Sequence, residues 1–118
     1  MGTLKQNEAI KESIANDRSR YLAHTGHLMM AVIDFNDGPT SAPDPPHDHP
    51  HEQVTYVAEG EILFFYDGAP TRLGPGDIYT VPPNVPHSIQ LLSSHVRLVD
   101  TFTPLREDFL TSRGRREA

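Results

Sequence analysis

The sequence contains no cysteine, so disulfide bonds and thiolate chemistry are excluded. Basic residues are also scarce, because 10 Lys and Arg stand against 16 Asp and Glu and the formal net charge is -6. A protein that binds nucleic acid needs a basic stripe on its surface, and this balance argues against that class. The basic cluster Arg113, Arg115 and Arg116 lies at the C-terminal end, where we expect a solvated tail.

Long apolar runs are missing as well. No run approaches the length of a membrane-spanning helix. The N-terminal segment carries Lys5, Glu8, Lys11 and Glu12 where a secretory signal would need an apolar centre. We therefore expect no membrane association and a cytoplasmic location.

Turn-forming residues are abundant, with eleven Pro and eight Gly in 118 residues. They divide the chain into short pieces rich in β-branched and aromatic residues, as in an antiparallel sandwich or barrel. The length allows one domain. The expected strands are 20–23, 28–35, 54–58, 61–66, 71–73, 78–81, 87–92 and 96–103.

Four segments carry more specific expectations. Residues Leu4 to Ile14 are predicted to form a short amphipathic helix or a loose arm. The run Leu28 to Phe35 has apolar residues at both parities, which predicts a strand covered on both faces, inside a sandwich or at an oligomer interface. Pro39 to Pro46 is a stiff extended approach to the residues that follow. Residues 104–110 are predicted to leave the sheet in a helical turn.

Three histidines and an amide alternate in the next stretch. His47, His49, His51 and Gln53 can share one face of an extended strand, since successive side chains point to opposite faces. His87 lies on a separate segment after two prolines. Two or three imidazoles with one further donor form a shell suited to a divalent transition metal. The sequence therefore predicts an internal metal site.

Simpler interpretations apply to individual histidines. A surface cluster with adventitious metal affinity is possible for any His-rich tract, although it would not need the ordered Gly and Pro residues that follow this one. His24 and His27 are interpreted as turn or rim residues. His51 has the parity of a ligand but lies between Pro50 and Glu52, so we expect it beside the metal shell or at the rim.

Two spaced motifs resemble those of the cupin family. The first comprises His47, Asp48, His49, Gln53 and Gly60, and the second comprises Gly76, Pro82, Asn84 and His87. The family usually has Glu in place of Gln53 and Gly in place of Asn84. Asn tolerates positive φ, so the turn is expected to survive.

The resemblance implies an all-β fold with a single cupin domain, a double-stranded β-helix or jelly-roll barrel, over residues 20–110. Short helical or irregular extensions are expected at both ends. Residues 1–19 would form an N-terminal arm or short helix, and residues 111–118 a disordered basic tail.

A narrower resemblance covers the stretches 47–57 and 100–110. They look like the small cupins of pectin and alginate degradation, which convert 4,5-unsaturated monouronates into linear ketonised sugar acids. The resemblance implies one divalent ion (zinc, nickel, iron or manganese), a small anionic sugar-like substrate, and a homodimer. It places the metal ligands at His47, His49, Gln53 and His87, and residues important for activity at Asp100, Phe102 and Arg106.

Asp100, Phe102 and Arg106 also have interpretations that involve no role in activity. Asp100 and Phe102 share strand parity and can both face the interior. Asp100 is a candidate proton donor or acceptor, or else a buried carboxylate that binds backbone. Phe102 walls the sugar pocket or packs in the core. Arg106 binds a carboxylate bidentately, or pairs with Glu107 or Asp108.

Three functions remain open at the level of sequence. The first is a metal-dependent enzyme that opens and ketonises unsaturated uronates, with isomerase- or lyase-like chemistry. The second is a metal-dependent dioxygenase acting on another small substrate. The third is a non-catalytic cupin that binds a small molecule.

Overall fold

A computed structural model of the chain describes residues 2–110, which form one compact unit of two antiparallel sheets. The strands are β1 (Glu12–Ala15), β2 (Arg18–His24), β3 (Met29–Phe35), β4 (Glu52–Glu59), β5 (Ile62–Tyr66), β6 (Ala69–Leu73), β7 (Ile78–Val81), β8 (His87–Leu91) and β9 (Val96–Thr103). A short 3-10 helix, Gln6–Glu8, precedes them. The predicted all-β architecture is confirmed.

The two sheets enclose the hydrophobic core. One has six strands in the order β1-β2-β3-β9-β4-β7, and the other has three in the order β6-β5-β8. Inward-facing side chains alternate along β3, β4, β5, β7 and β9, as the period of two requires. The most deeply buried apolar ones are Met29, Ala31, Val57, Ile62, Val81, Leu91, Val96, Leu98 and Phe102.

The turns follow the predicted chemistry. Asp67 and Gly68 both have positive φ, at 48° and 87°, as a two-residue hairpin between β5 and β6 needs. Asn84 adopts φ 64°, so it fills the position that the family gives to Gly. At Gly60, with φ 80°, a Cβ would lie 2.2 Å from the His95 carbonyl oxygen, so both the dihedral and the close approach require glycine.

The proline-rich segment 39–46 runs along the free edge of β8. The amides of Thr40, Asp44 and His47 donate to the carbonyls of Leu91, Ile89 and His87 at 3.0, 2.9 and 3.0 Å. These bonds are spaced too irregularly for a regular strand, because prolines interrupt the ladder. The predicted extended approach is confirmed, and its last bond sets His47 opposite His87.

Of the two alternatives for Leu4 to Ile14, a helix or a loose arm, the helix is wrong. Only Gln6–Glu8 is helical, and β1 pairs with β2 instead. The edge of β2 offers unpaired backbone groups, and Glu12 becomes buried with its carboxylate 3.2 Å from Arg20 Nε. Sheet pairing and this ion pair override a weak apolar stripe whose members, Leu4, Ile10 and Ile14, stay exposed.

Within the single chain, the strand expected at Leu28 to Phe35 is covered on one face, so its other face would have to be covered by a second copy. Met29, Ala31, Ile33 and Phe35 are buried, whereas Leu28 and Met30 are 55% and 49% exposed. The strand therefore alternates, with an outward face that carries apolar side chains.

The C-terminal part of the described chain folds back over the barrel. Residues 107–110 begin a helical turn as predicted, and Phe109 is buried. The predicted disordered tail, 111–118, lies outside the described residues. Within 2–110, no helix has the length and apolar character needed to cross a membrane.

Candidate metal centre and its cavity

His47, His49 and His87 converge at one end of the barrel. A ligand nitrogen of each lies within 4.8 Å of the others. His47 and His87 exchange backbone hydrogen bonds of 3.0 and 2.9 Å, which hold their rings 4.3 Å apart between centroids. His49 enters from the turn before β4, with its ring 4.8 Å from that of His87. The three predicted imidazoles are therefore brought together.

Backbone carbonyls fix the tautomers of two of these rings. His49 Nδ1 lies 2.9 Å from the His51 carbonyl oxygen, and His87 Nδ1 lies 2.8 Å from that of Val85. A carbonyl only accepts, so each Nδ1 must donate and each Nε2 of a neutral ring keeps its lone pair. His87 Nε2 is buried and has no hydrogen-bond partner among the described residues.

Gln53 supplies a fourth donor atom. Its Oε1 lies 3.0 Å from His49 Nε2, while its Nε2 donates to Thr55 Oγ1 at 2.8 Å. An amide oxygen and an imidazole nitrogen lone pair both accept, so their close approach is favourable with either a proton or a metal cation between them. Together with the orphaned His87 nitrogen, this fits a divalent metal held by three nitrogens and one oxygen.

The pKa values of His47 and His87 are lowered, which favours the neutral rings that bind a metal. Burial lowers the pKa of His87 to about 4, with smaller contributions from nearby positive charge. Burial also lowers the pKa of His47, and His49 and Arg106 add to that effect. A metal ion competes with protons for the same lone pairs, so a lowered pKa leaves both rings available at neutral pH.

His51 does not join this shell. Its Nε2 lies 3.1 Å from the Leu105 carbonyl oxygen, so the ring ties the C-terminal segment to the metal loop. The His51 ring lies 5.8 Å from that of His49, centroid to centroid. His24 and His27, predicted to be turn or rim residues, are exposed, and His24 Nδ1 lies 3.0 Å from the Thr25 carbonyl oxygen.

Asp100 is buried on β9, paired with Thr55 of β4. Its Oδ1 accepts a 2.6 Å hydrogen bond from Thr55 Oγ1. Burial raises the pKa of the Asp100 carboxyl to about 6, although the Thr55 hydrogen bond and the charge of Arg106 oppose the shift. A carboxyl whose pKa lies this near neutrality can both take up and release a proton.

Phe102 and Arg106 lie next to the histidine cluster. The Phe102 ring meets His49 edge-on at 5.9 Å and Phe109 at 5.6 Å. The Arg106 guanidinium lies over the rings of Phe102 and Phe109, 5.2 and 4.4 Å from their centroids. Arg106 also forms a bidentate ion pair with Asp108, with Nε–Oδ1 and Nη2–Oδ2 distances of 3.0 and 2.8 Å. This is the ion pair that the sequence predicts as the alternative to binding a substrate carboxylate.

A cavity of about 490 Å³ joins these groups. Six of the seven predicted site residues line it, namely His47, Gln53, His87, Asp100, Phe102 and Arg106. The lining also includes Arg18 and Arg20 of β2, whose guanidiniums form ion pairs with Asp37, Asp44 and Glu12. A chamber of this size can hold a small molecule.

Thr55 is a residue of this site that the sequence places only in a strand, although it shares parity with Gln53, which is the signal that could have placed it inward. Tyr79 lies in the predicted strand 78–81, and the sequence does not decide whether it lines a cavity or packs. It does both, because its ring stacks on Phe64 at 4.0 Å and also lines the cavity. Burial and the Asp100 charge raise the pKa of the Tyr79 phenol.

Comparison with known proteins places this geometry in a family. A family model described as a cupin domain matches residues 32–102. The pectin degradation protein KdgF of Dickeya dadantii is 34% identical over 94 residues, which cover 79% of this chain and 83% of that protein. The quercetin 2,3-dioxygenase of Bacillus subtilis is 38% identical over 71 residues, 57% of this chain but only 21% of that enzyme.

Two solved structures superpose closely on this chain. A RmlC-like cupin from Shewanella frigidimarina superposes with a TM-score of 0.83 at 34% identity, covering 92% of this chain and 96% of that one. The structure of KdgF from a Halomonas species superposes with a TM-score of 0.82 at 29% identity, covering 92% and 99%.

Proposed function

Because this chain belongs to the cupin family, we propose that it is a metal-dependent enzyme that converts 4,5-unsaturated monouronates from pectin or alginate breakdown into linear ketonised sugar acids. One observation carries the proposal. His47, His87, Gln53 and the buried Asp100 line one cavity, with the His49 imidazole next to that of His87, in a chain similar to a pectin degradation protein along most of its length.

The donor set argues for an anionic substrate. Neutral imidazoles and a neutral amide leave a divalent ion its full double charge, which a glutamate in place of Gln53 would reduce. When bound, such an ion supplies Lewis-acid stabilisation of the carboxylate and of the oxygen that gains charge. The metal, whether zinc, nickel, iron or manganese, would be held by His47, His49, Gln53 and His87.

Asp100 is proposed to move the proton. Opening an unsaturated uronate ring removes a proton from the C1 hydroxyl and breaks the bond between C1 and the ring oxygen, which leaves an aldehyde at C1 and an enolate at C5. A proton delivered to C4 then converts the enolate into the ketone. One carboxylate can do both, first as base and then as acid, if its pKa lies near the working pH. Burial in the cavity wall gives Asp100 that pKa, and Thr55 holds it in place.

Phe102 and Arg106 are proposed to position the sugar. Phe102 walls the cavity beside His49, and its ring excludes water from the reacting end. The guanidinium of Arg106 has five N–H donors, of which the Asp108 carboxylate takes two. Arg106 would meet the substrate at the cavity wall with its remaining donors.

An assay against a panel of unsaturated monouronates tests this proposal. Purified protein loaded with a divalent metal should accelerate the loss of the ultraviolet absorbance of the enol ether and yield a ketone. The matched variant Asp100→Asn, loaded in the same way, should be close to the buffer rate. Failure of the wild type to exceed buffer on every uronate would remove the proposal.

A dioxygenase is the second candidate, and the similarity to quercetin 2,3-dioxygenase is what favours it. A shell of three imidazoles also suits ferrous iron. Oxygen consumption by the iron-loaded protein with flavonols would support this function. A third possibility, a non-catalytic binding cupin, would show uronate binding without turnover.

We also propose a homodimer. The outward face of the six-stranded sheet exposes Met30, Val54, Tyr56 and Ile78. These lie on neighbouring strands, since Tyr56 pairs with Ile78 and Thr101 pairs with both Met30 and Val54. A contiguous apolar face of this kind favours burial against a second copy. The cytoplasmic location stays a prediction from sequence.

A further inference from the structure

Thr55 lies between a proposed metal ligand and the proposed proton carrier. Its Oγ1 is 2.8 Å from Gln53 Nε2 and 2.6 Å from Asp100 Oδ1. The side chain is fully buried and does not line the cavity. Thr55 therefore acts through its neighbours and not on a substrate.

While Asp100 is ionised, the hydrogen bonds of Thr55 have only one consistent direction. A hydroxyl carries one hydrogen, and an ionised carboxylate can only accept. The Thr55 hydrogen must then go to Asp100, so that Oγ1 can only accept from Gln53. Of the two ends of the Gln53 amide, only the NH₂ group can donate, and this leaves Oε1 facing His49.

The opposite orientation of the amide would spoil the metal site. The two ends of an amide are nearly the same size, so shape alone does not choose between them. With the amide reversed, its NH₂ group would hydrogen-bond the His49 Nε2 lone pair, and no oxygen would face the metal position. The hydroxyl of Tyr79 also interacts with Thr55 and Gln53, but a phenol can donate or accept and does not select an orientation.

We propose that Thr55 is a positioning residue that turns the oxygen of Gln53 toward the metal position and thereby sets metal affinity. The inference rests on the metal centre of the proposed function. It predicts that the Thr55 hydroxyl matters specifically because the fourth ligand is an amide with two different ends.

The first test measures Ni²⁺ affinity of metal-free protein by isothermal titration calorimetry. Thr55→Val keeps the shape but removes the hydroxyl, and should weaken Ni²⁺ binding roughly 10- to 100-fold, as is typical when a partner of a ligand is lost. Thr55→Ser restores the hydroxyl and should stay within about 3-fold of wild type on the same basis. Equal affinity of wild type and Thr55→Val would overturn the inference.

A double-mutant cycle separates orientation from packing. In Gln53→Glu both ends of the side chain are oxygens, so no orientation has to be selected. Adding Thr55→Val to Gln53→Glu should therefore weaken Ni²⁺ binding less than about 3-fold. An equal loss in both backgrounds would mean that Thr55 only supports packing, and would overturn the inference.

The two proposals fail in different ways. Absence of Ni²⁺ binding by the wild type would remove the metal centre itself and this inference with it. Binding by the wild type with no effect of Thr55→Val would remove only the role of Thr55. Should Thr55→Val not fold, Thr55→Ala is compared with Thr55→Ser in the same two backgrounds, with the same outcomes.

Discussion

Asp100 is the single side chain on which the proposed reaction depends most. Replacing it with Asn keeps its size and its acceptor for Thr55 but removes the proton carrier. We expect the turnover number of Asp100→Asn to fall by about 10²- to 10⁴-fold, the usual contribution of acid–base catalysis. Steady-state kinetics at saturating metal measures it, and near wild-type turnover would contradict the role.

The same residue predicts the pH dependence. Burial raises the pKa of Asp100 to about 6, so its carboxylate is lost as the pH falls through that value. Because the first step needs the ionised form, turnover should decline between about pH 7 and pH 5, roughly tenfold per unit below the pKa. Metal content measured across the range separates this decline from protonation of the ligands. A flat profile with metal retained would exclude Asp100 as the base.

The proposed ligands were predictable from sequence, but the residues that support them were not. The shared parity of His47, His49 and Gln53 predicted a common face, although β4 begins only at Glu52 and His51, with the same parity, turns to the Leu105 carbonyl. His87 followed from the second motif. Thr55 shares the parity of Gln53, but its partner Asp100 lies 45 residues further along the chain. Only the pairing of β4 with β9 shows that the two meet.

The proline-rich segment 39–46 positions His47, and Arg18 of β2 anchors this segment through ion pairs. Arg18 binds Asp37 through Nε at 3.0 Å, and binds Asp44 at 2.8 and 3.1 Å. These charge-assisted bonds raise the pKa of Arg18 and lower that of Asp37. The part-buried guanidinium thereby links the segment to β2.

Arg18→Gln should loosen this element. We expect the free energy of unfolding to drop by about 1–3 kcal/mol, because hydrogen bonds to charged groups are lost at a part-buried position. Urea denaturation measures the change. Arg72→Gln is the matched control, since Arg72 pairs with Glu61 at an exposed site, and should cost less than about 1 kcal/mol. Equal losses in both variants would contradict the fastening role.

Two other elements show where the spacing of apolar residues along the sequence does not predict the structure. The run Leu28 to Phe35 predicted burial on both faces, but composition does not show whether a second copy covers the outer face. The helix expected within Leu4 to Ile14 rested on apolar residues at helical spacing, a weak signal beside the open edge of β2. The hairpin at Asp67 and Gly68 was predictable because its turn chemistry is local.

For the molecule as a whole, the exposed apolar sheet face predicts the oligomeric state. Wild type should elute as a dimer in size-exclusion chromatography with light scattering. Val54→Asp places a charge in the middle of that face and should shift the protein to monomer, because an unpaired charge would be desolvated at the interface. Thr71→Asp, on the exposed edge strand β6, is the control and should leave the dimer intact. A monomeric wild type at micromolar concentration would contradict the proposal.

The measurement that most directly tests the proposed enzyme is the turnover of a 4,5-unsaturated monouronate as metal is returned to stripped protein. We expect no activity after chelation, then a linear rise that ends at one Ni²⁺ or Zn²⁺ ion per chain. His87→Ala should show little recovery at the same metal concentration. Full turnover by stripped protein, or by His87→Ala, would contradict the central claim.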